Sequence, residues 1–84
     1  MQIFYTTIAK EDRKYWEKTN QKIIQRIDKL INDIKKHPFI GIGKPESLRF
    51  EKLGYWSMRI NQEHRLIYKI HNNTIYIAQC RYHY

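Results

Sequence analysis

Arg49, Arg59 and Arg65 each fall on the polar phase of a segment that alternates apolar and polar residues. Alternation sends successive side chains of a strand to opposite faces, so pairing these segments would gather the three guanidinium groups on one face. Several guanidinium forks side by side suit several phosphate oxygens, whereas each arginine taken singly is an ordinary solvated charge. Glu46 opens the segment that carries Arg49; it is either the carboxylate of such a site or a plain salt-bridge partner. The C-terminal Arg81-Tyr82-His83-Tyr84 sets an imidazole among phenols and beside a carboxylate, a neighbour that would favour a proton held ready for a leaving group. The same four residues would also serve as a strand end that anchors two aromatics. Regular alternation puts His83 on the face away from Arg65, so the two converge only if the tail leaves strand geometry.

Other candidate chemistry is weaker. Gly41-Ile42-Gly43-Lys44 lacks the later Gly-Lys-Ser/Thr of a phosphate loop and leads to a strand, which makes it a connecting loop. His37, His64, His71 and His83 show no pair at helical ligand spacing, and Cys80 is the only cysteine, so neither a metal cluster nor a disulfide framework is expected. Cys80 itself, in an apolar strand, reads as a small buried hydrophobe.

The elements that must position these residues follow from periodicity. Residues 2 to 8 are β-branched and aromatic, an opening strand, and Lys10 to Lys18 form a short helix around Tyr15 and Trp16. Asn20 suits the N-cap of a second helix, in which Ile23, Ile24, Ile27, Leu30, Ile31 and Ile34 make one apolar stripe and Pro38 supplies the stop. His37 to Pro45 is a loop. Strands are expected over Ser47 to Glu51, Tyr55 to Asn61, Arg65 to His71 and Thr74 to Cys80.

Asn72-Asn73 suits a two-residue type I′ turn, which sets Ile70 opposite Ile75, Tyr68 opposite Ile77 and Arg65 opposite Cys80. A loop at Gln62 to His64 would then set Ile60 by Leu66, Met58 by Tyr68 and Trp56 by Ile70. The fold class expected is α+β, β-α-α-β-β-β, with two helices on one face of a mainly antiparallel, twisted sheet and an open basic face carrying Arg59, Arg65, Lys69 and Tyr76.

Eighty-four residues make one domain, 1–84, too small for a deep cofactor pocket. Sixteen Lys and Arg against eight Asp and Glu leave a formal +8, which calls for a polyanion or an acidic protein as partner. Nine basic and five acidic residues up to Gly43, then seven and three, spread that charge over both halves instead of a tail. With 42% apolar residues the chain can make a core. No leader-like or membrane-spanning run is present, so a cytoplasmic location is expected.

The chain resembles the YoeB-type toxins, called Txe in some hosts, of the RelE superfamily of bacterial toxin–antitoxin systems. The resemblance runs through Tyr15-Trp16, Pro38-Phe39, Gly41-Ile42-Gly43-Lys44-Pro45-Glu46, Trp56-Ser57, Arg59-Ile60, Glu63-His64-Arg65-Leu66 and Arg81-Tyr82-His83-Tyr84. It implies a cofactor-free α/β endoribonuclease that enters the ribosomal A site and cuts the messenger there. Glu46 matches the family's general base, Arg65 the residue that stabilises the phosphorane, and His83 the general acid, with Tyr84 a further active-site position. Lys44, Arg49, Arg59 and Arg81 are the implied substrate-binding residues; Arg49 stands where the family's best-known member has lysine. The implied partners are a YefM/Phd-type antitoxin and the 70S ribosome with its mRNA, with a homodimer as a further option and no membrane. A gyrase-inhibiting ParE-like toxin or a plain ribosome-binding module would keep the fold and the charge without cleavage.

Overall fold

Helix α2 (Gln21–Lys36) follows its sequence most directly: all six residues of the apolar stripe, Ile23 to Ile34, are buried. Asn20 caps it as expected, its side-chain oxygen accepting from the Lys22 and Ile23 amides. Lys35 and Lys36 in the last turn complement the helix dipole. The computed structural model describes residues 1–39, 43, 45–47 and 54–82.

The other elements are β1 (Gln2–Tyr5), α1 (Thr7–Thr19), β2 (Glu46–Ser47), β3 (Trp56–Arg59), β4 (Arg65–His71) and β5 (Thr74–Gln79). The sheet order is β1-β5-β4-β3-β2, antiparallel except for the parallel pair β1–β5. The α+β class is as expected, but four strands follow the helices where the order β-α-α-β-β-β has three, because the short Glu46–Ser47 edge strand pairs as a strand of its own. Ala9 and Trp16 of α1 and the α2 stripe pack with Met58, Leu66, Tyr68, Ile75 and Ile77, so both helices lie on one face of the sheet. Each such aliphatic side chain contributes about 1.5–3 kcal/mol on burial.

The structure corrects several expected boundaries. The opening strand ends at Tyr5, not at residue 8, because Thr6 caps α1: its hydroxyl accepts from the Ala9 amide and donates to the Ala78 carbonyl. α1 therefore starts ahead of Lys10. Of the strand expected over Ser47 to Glu51, only Ser47 is among the described residues, paired with Trp56 as Glu46 is with Ser57.

The β4–β5 turn is as expected, with Asn72 and Asn73 at φ of +48° and +58° and with Ile70 opposite Ile75 and Tyr68 opposite Ile77. Past Tyr68 the register slips by one residue: Ile67 pairs with Gln79, and Ala78 is the extra residue of a bulge. The expected Arg65–Cys80 pair does not form, since the bulge turns Cys80 into the core, where it is fully buried. Between β3 and β4 the register differs by two residues from the expectation, with Met58 opposite Leu66 and Trp56 opposite Tyr68. Asn61 sets that shift. Its side-chain oxygen accepts from both the Glu63 and His64 amides, and Ile60 bonds back to the His64 carbonyl, so the turn closes earlier than assumed. A two-residue slip preserves the faces.

Gly43 is packed instead of exposed. A Cβ there would stand 2.9 Å from both Leu30 Cδ2 and Met58 Cβ, while the Gly43 carbonyl accepts from the Arg59 amide. Gly43→Ala is expected to lower stability by about 1–3 kcal/mol through overpacking, which a urea titration would measure; an unchanged midpoint would show that α2 and β3 yield freely.

Candidate active site

Residues directly opposed in a ladder share a face, so the pairs Glu46–Ser57, Ser57–Ile67, Arg59–Arg65 and Lys69–Tyr76 define one side of the sheet opposite the helices. Arg65, Arg59, Lys69 and Tyr76 are therefore together on that face, as expected. The face is not open along its whole length: Arg59 and Glu46 are exposed, but Ser57 and Ile67 are buried. Part of the reason is Arg65 itself. Its Nε donates to Ser57 Oγ at 2.7 Å and its Nη2 to the Ser57 carbonyl at 3.4 Å, which lays the guanidinium along β3. The same Nη2 is 4.0 Å from Glu46 Oε2; the Arg65 side chain is 13% exposed against 71% for Glu46.

This arrangement is a preorganised cation beside a solvent-facing carboxylate. A guanidinium that is anchored on one edge loses little further freedom when an anion binds it. Arg59 directly opposes Arg65, a like-charge pair that costs stability in a sheet. A third guanidinium, that of Arg26, donates to the carbonyls of Arg59 and Ile60 and brings its charge to the same end of β3. Lys69 is farther along the face, its ammonium over the rings of Tyr55 and Tyr76 at 5.1 and 5.6 Å.

The chain end approaches Arg65 through its backbone. The Arg65 amide donates to the Tyr82 carbonyl at 3.0 Å, and Tyr82, at φ of +68°, has left strand geometry. The Arg81 guanidinium is stacked 3.5 Å from the centre of the Tyr15 ring and 4.5 Å from that of Tyr82, away from Glu46 and against α1. Of the expected site residues, Glu46, Arg59 and Arg65 thus share one face and Arg81 does not. Lys44, Arg49, His83 and Tyr84 lie outside the described residues.

Two contributors escaped the sequence reading. Ser57 anchors Arg65, and His64 accepts the Tyr82 amide at Nδ1, 2.7 Å away. A lone serine or histidine carries no spacing signal; the only pointer to His64 was its place in Glu63-His64-Arg65-Leu66. Cys80 is inert packing, for burial pushes its thiol up to about 12. Burial also raises the Asp12 carboxyl, which accepts from the Cys80 amide. Among the described residues no group of three or more His, Cys, Asp or Glu could hold a metal ion, and no helix is long and apolar enough to cross a membrane.

The family model for the YoeB-like toxin of bacterial type II toxin–antitoxin systems matches residues 5–84. This chain belongs to that family. Toxin YoeB of Escherichia coli (strain K12) is 42% identical over 84 residues, all of both chains. The solved YoeB/ParE toxin from Agrobacterium tumefaciens is 37% identical, covers 100% of both chains and superposes with a TM-score of 0.97. YoeB from Staphylococcus aureus has been solved as a dimer, at 42% identity and TM-score 0.94, and in a YoeB–YefM complex, at 44% and 0.92. Each covers 100% of this chain and 98% of the solved one. The resemblance seen in the sequence is thus a family membership, and the sheet that carries Glu46, Arg59 and Arg65 is the YoeB fold.

Proposed function

We propose that this chain is a ribosome-dependent mRNA endoribonuclease, the toxin of a type II pair, which cuts the message in the A site. The observation that carries this reading is the Arg65 guanidinium anchored on Ser57 with Glu46 at 4.0 Å: a fixed cation and a carboxylate on one face of a basic sheet. In the proposed reaction the RNA supplies its own nucleophile. The 2′-oxygen attacks the adjacent phosphorus as its proton passes to Glu46, Arg65 stabilises the charge on the phosphorane, and the P–O5′ bond breaks as His83 gives its proton to the 5′-oxygen. Products are a 2′,3′-cyclic phosphate and a 5′-hydroxyl. Tyr84 completes the catalytic set, and Lys44, Arg49 and Arg59 hold the phosphates on either side.

A site this shallow gains its substrate orientation from the ribosome, since holding the reacting atoms in line is worth several powers of ten in rate. The partner that silences it is a YefM/Phd-type antitoxin whose acidic segment covers the Arg59 and Arg65 face; the complex formed by the Staphylococcus aureus relative supports this pairing. A homodimer is proposed from the same relative's dimer.

Mapping messenger 5′ ends after brief expression tests the reading. New 5′-hydroxyl ends within codons of translated messages are expected, with naked RNA cut slowly or not at all. Translation arrest without new ends would overturn cleavage, and equal rates on free and ribosome-bound message would remove the ribosome from the mechanism.

A further inference from the structure

Beyond Gln79, where β5 stops, side chains satisfy most of the backbone that a neighbouring strand would otherwise hold. The Cys80 amide donates to Asp12 Oδ2 at 3.0 Å, and the Cys80 carbonyl accepts from Trp16 Nε1 at 2.8 Å. The Arg81 carbonyl accepts from Gln79 Nε2 at 3.2 Å, and the Tyr82 amide donates to His64 Nδ1 at 2.7 Å. Among the described residues only the Tyr82 carbonyl is met by another backbone group, the Arg65 amide. Last residues ordinarily fray because few contacts offset the entropy of ordering them. Here two elements distant in sequence, α1 and the β3–β4 turn, hold three consecutive residues. Tyr82 also has a left-handed φ of +68°, a conformation that a bulky side chain keeps only where its surroundings impose it.

His64 and Arg65 impose it. They are consecutive, and between them they accept the amide of Tyr82 and donate to its carbonyl. The peptide that leads into His83 therefore departs from a point fixed against the residue that carries the site's guanidinium. The imidazole is itself held: its ring meets the Trp16 indole edge-on, centroids 4.7 Å apart at 78°.

We propose that His64 is a positioning residue of the cleavage site, its Nδ1 lone pair holding the Tyr82 amide and so fixing the last peptide before His83 against Arg65. The inference rests on the ribonuclease reading above. Nδ1 accepts only through a free lone pair, so the ring proton belongs on Nε2, the nitrogen 3.8 Å from Glu63 Oε2. A second proton, on Nδ1, would set one N–H against another.

His64→Asn keeps an acceptor near the position of Nδ1 and cannot titrate; His64→Leu keeps bulk and removes the acceptor. In His64→Leu the Tyr82 amide should exchange with solvent about tenfold faster, and kcat on ribosome-bound message should fall about 10²-fold with KM little changed. His64→Asn should restore most of both losses. His64→Asn and wild type should protect the Tyr82 amide to about the same degree. That comparison stands even if His64→Leu does not fold.

Tyr82 amide protection unchanged in His64→Leu, wild-type kcat despite its loss, or His64→Asn as slow as His64→Leu would each overturn the proposal. So would loss of Tyr82 amide protection in a folded His64→Asn. Exchange is read without cleavage, so a wild-type protein that protects Tyr82 but cuts nothing would sink the ribonuclease reading and not the hold.

Discussion

Arg65→Ala should slow cleavage of ribosome-bound message by about 10²- to 10³-fold, the usual loss when a preorganised donor to a developing negative charge is removed. The phosphorane carries more charge than the ground-state diester, so the loss belongs in kcat and KM should move little. Arg65→Lys should not restore the rate. A lysine ammonium is a point charge, and nothing about it reproduces a planar fork with Nε on Ser57 Oγ at 2.7 Å and Nη2 extending toward Glu46. Arg65 is also partly structural, since it covers buried Ser57, so urea titration should accompany the kinetics. Loss of a polar anchor costs about 1–2 kcal/mol, too little to unfold a domain of ordinary stability. Single-turnover rates within a few-fold of wild type for Arg65→Ala would show that the face binds RNA without stabilising its cleavage.

The two parts of the molecule differ in how much the sequence disclosed, for physical reasons. A helix stripe such as Ile23 to Ile34 is written in the spacing itself, because six apolar residues at that period line one side of a helix and would scatter over both faces of a strand. The Asn20 cap and the Asn72-Asn73 turn were equally legible, since each depends on what one side chain does to its own backbone. Register was legible only as far as the pairing stayed regular. The bulge at Ala78 leaves alternation looking intact on both sides while moving Cys80 from beside Arg65 into the core. The β3–β4 slip has the same character: Asn61 closes the turn through two amides, and nothing in the alternation of either strand records it.

For the site, the faces of β3 and β4 survived, and the bulge exchanges faces only at the end of β5. A two-residue slip does not exchange faces, so Arg59 and Arg65 stayed together. What alternation could not supply is the route of the chain end, which depends on side chains from α1 and from the turn before β4. Tyr82 does leave strand geometry, its positive φ and bonds to His64 and Arg65 turning it out of the strand, while His83 lies outside the described residues. In the sequence His64 presents itself only through the Glu63-His64-Arg65-Leu66 segment, and its hydrogen bond to Tyr82 exists because the bulge and the turn bring residues eighteen positions apart together.

His83→Ala should lower the cleavage rate by about 10²- to 10⁴-fold, the range that a positioned general acid contributes. A 5′-alkoxide is a poor leaving group at neutral pH, and the 2′-oxygen cannot displace it efficiently unless a proton arrives as the P–O5′ bond breaks. Imidazole is the side chain suited to supply that proton at physiological pH. Ribosome binding and the fold should change little in the variant, because the backbone of Cys80 to Tyr82 is held by Asp12, Trp16, His64, Arg65 and Gln79. The Tyr82 amide should therefore keep its protection in His83→Ala, unlike in His64→Leu, and this separates loss of the acid from loss of its positioning. The residual products should still be a 2′,3′-cyclic phosphate and a 5′-hydroxyl, since the nucleophile belongs to the RNA. Wild-type rates for His83→Ala across about pH 6 to 8 would mean that the proton reaches the 5′-oxygen from elsewhere, with Tyr84 the next residue to test.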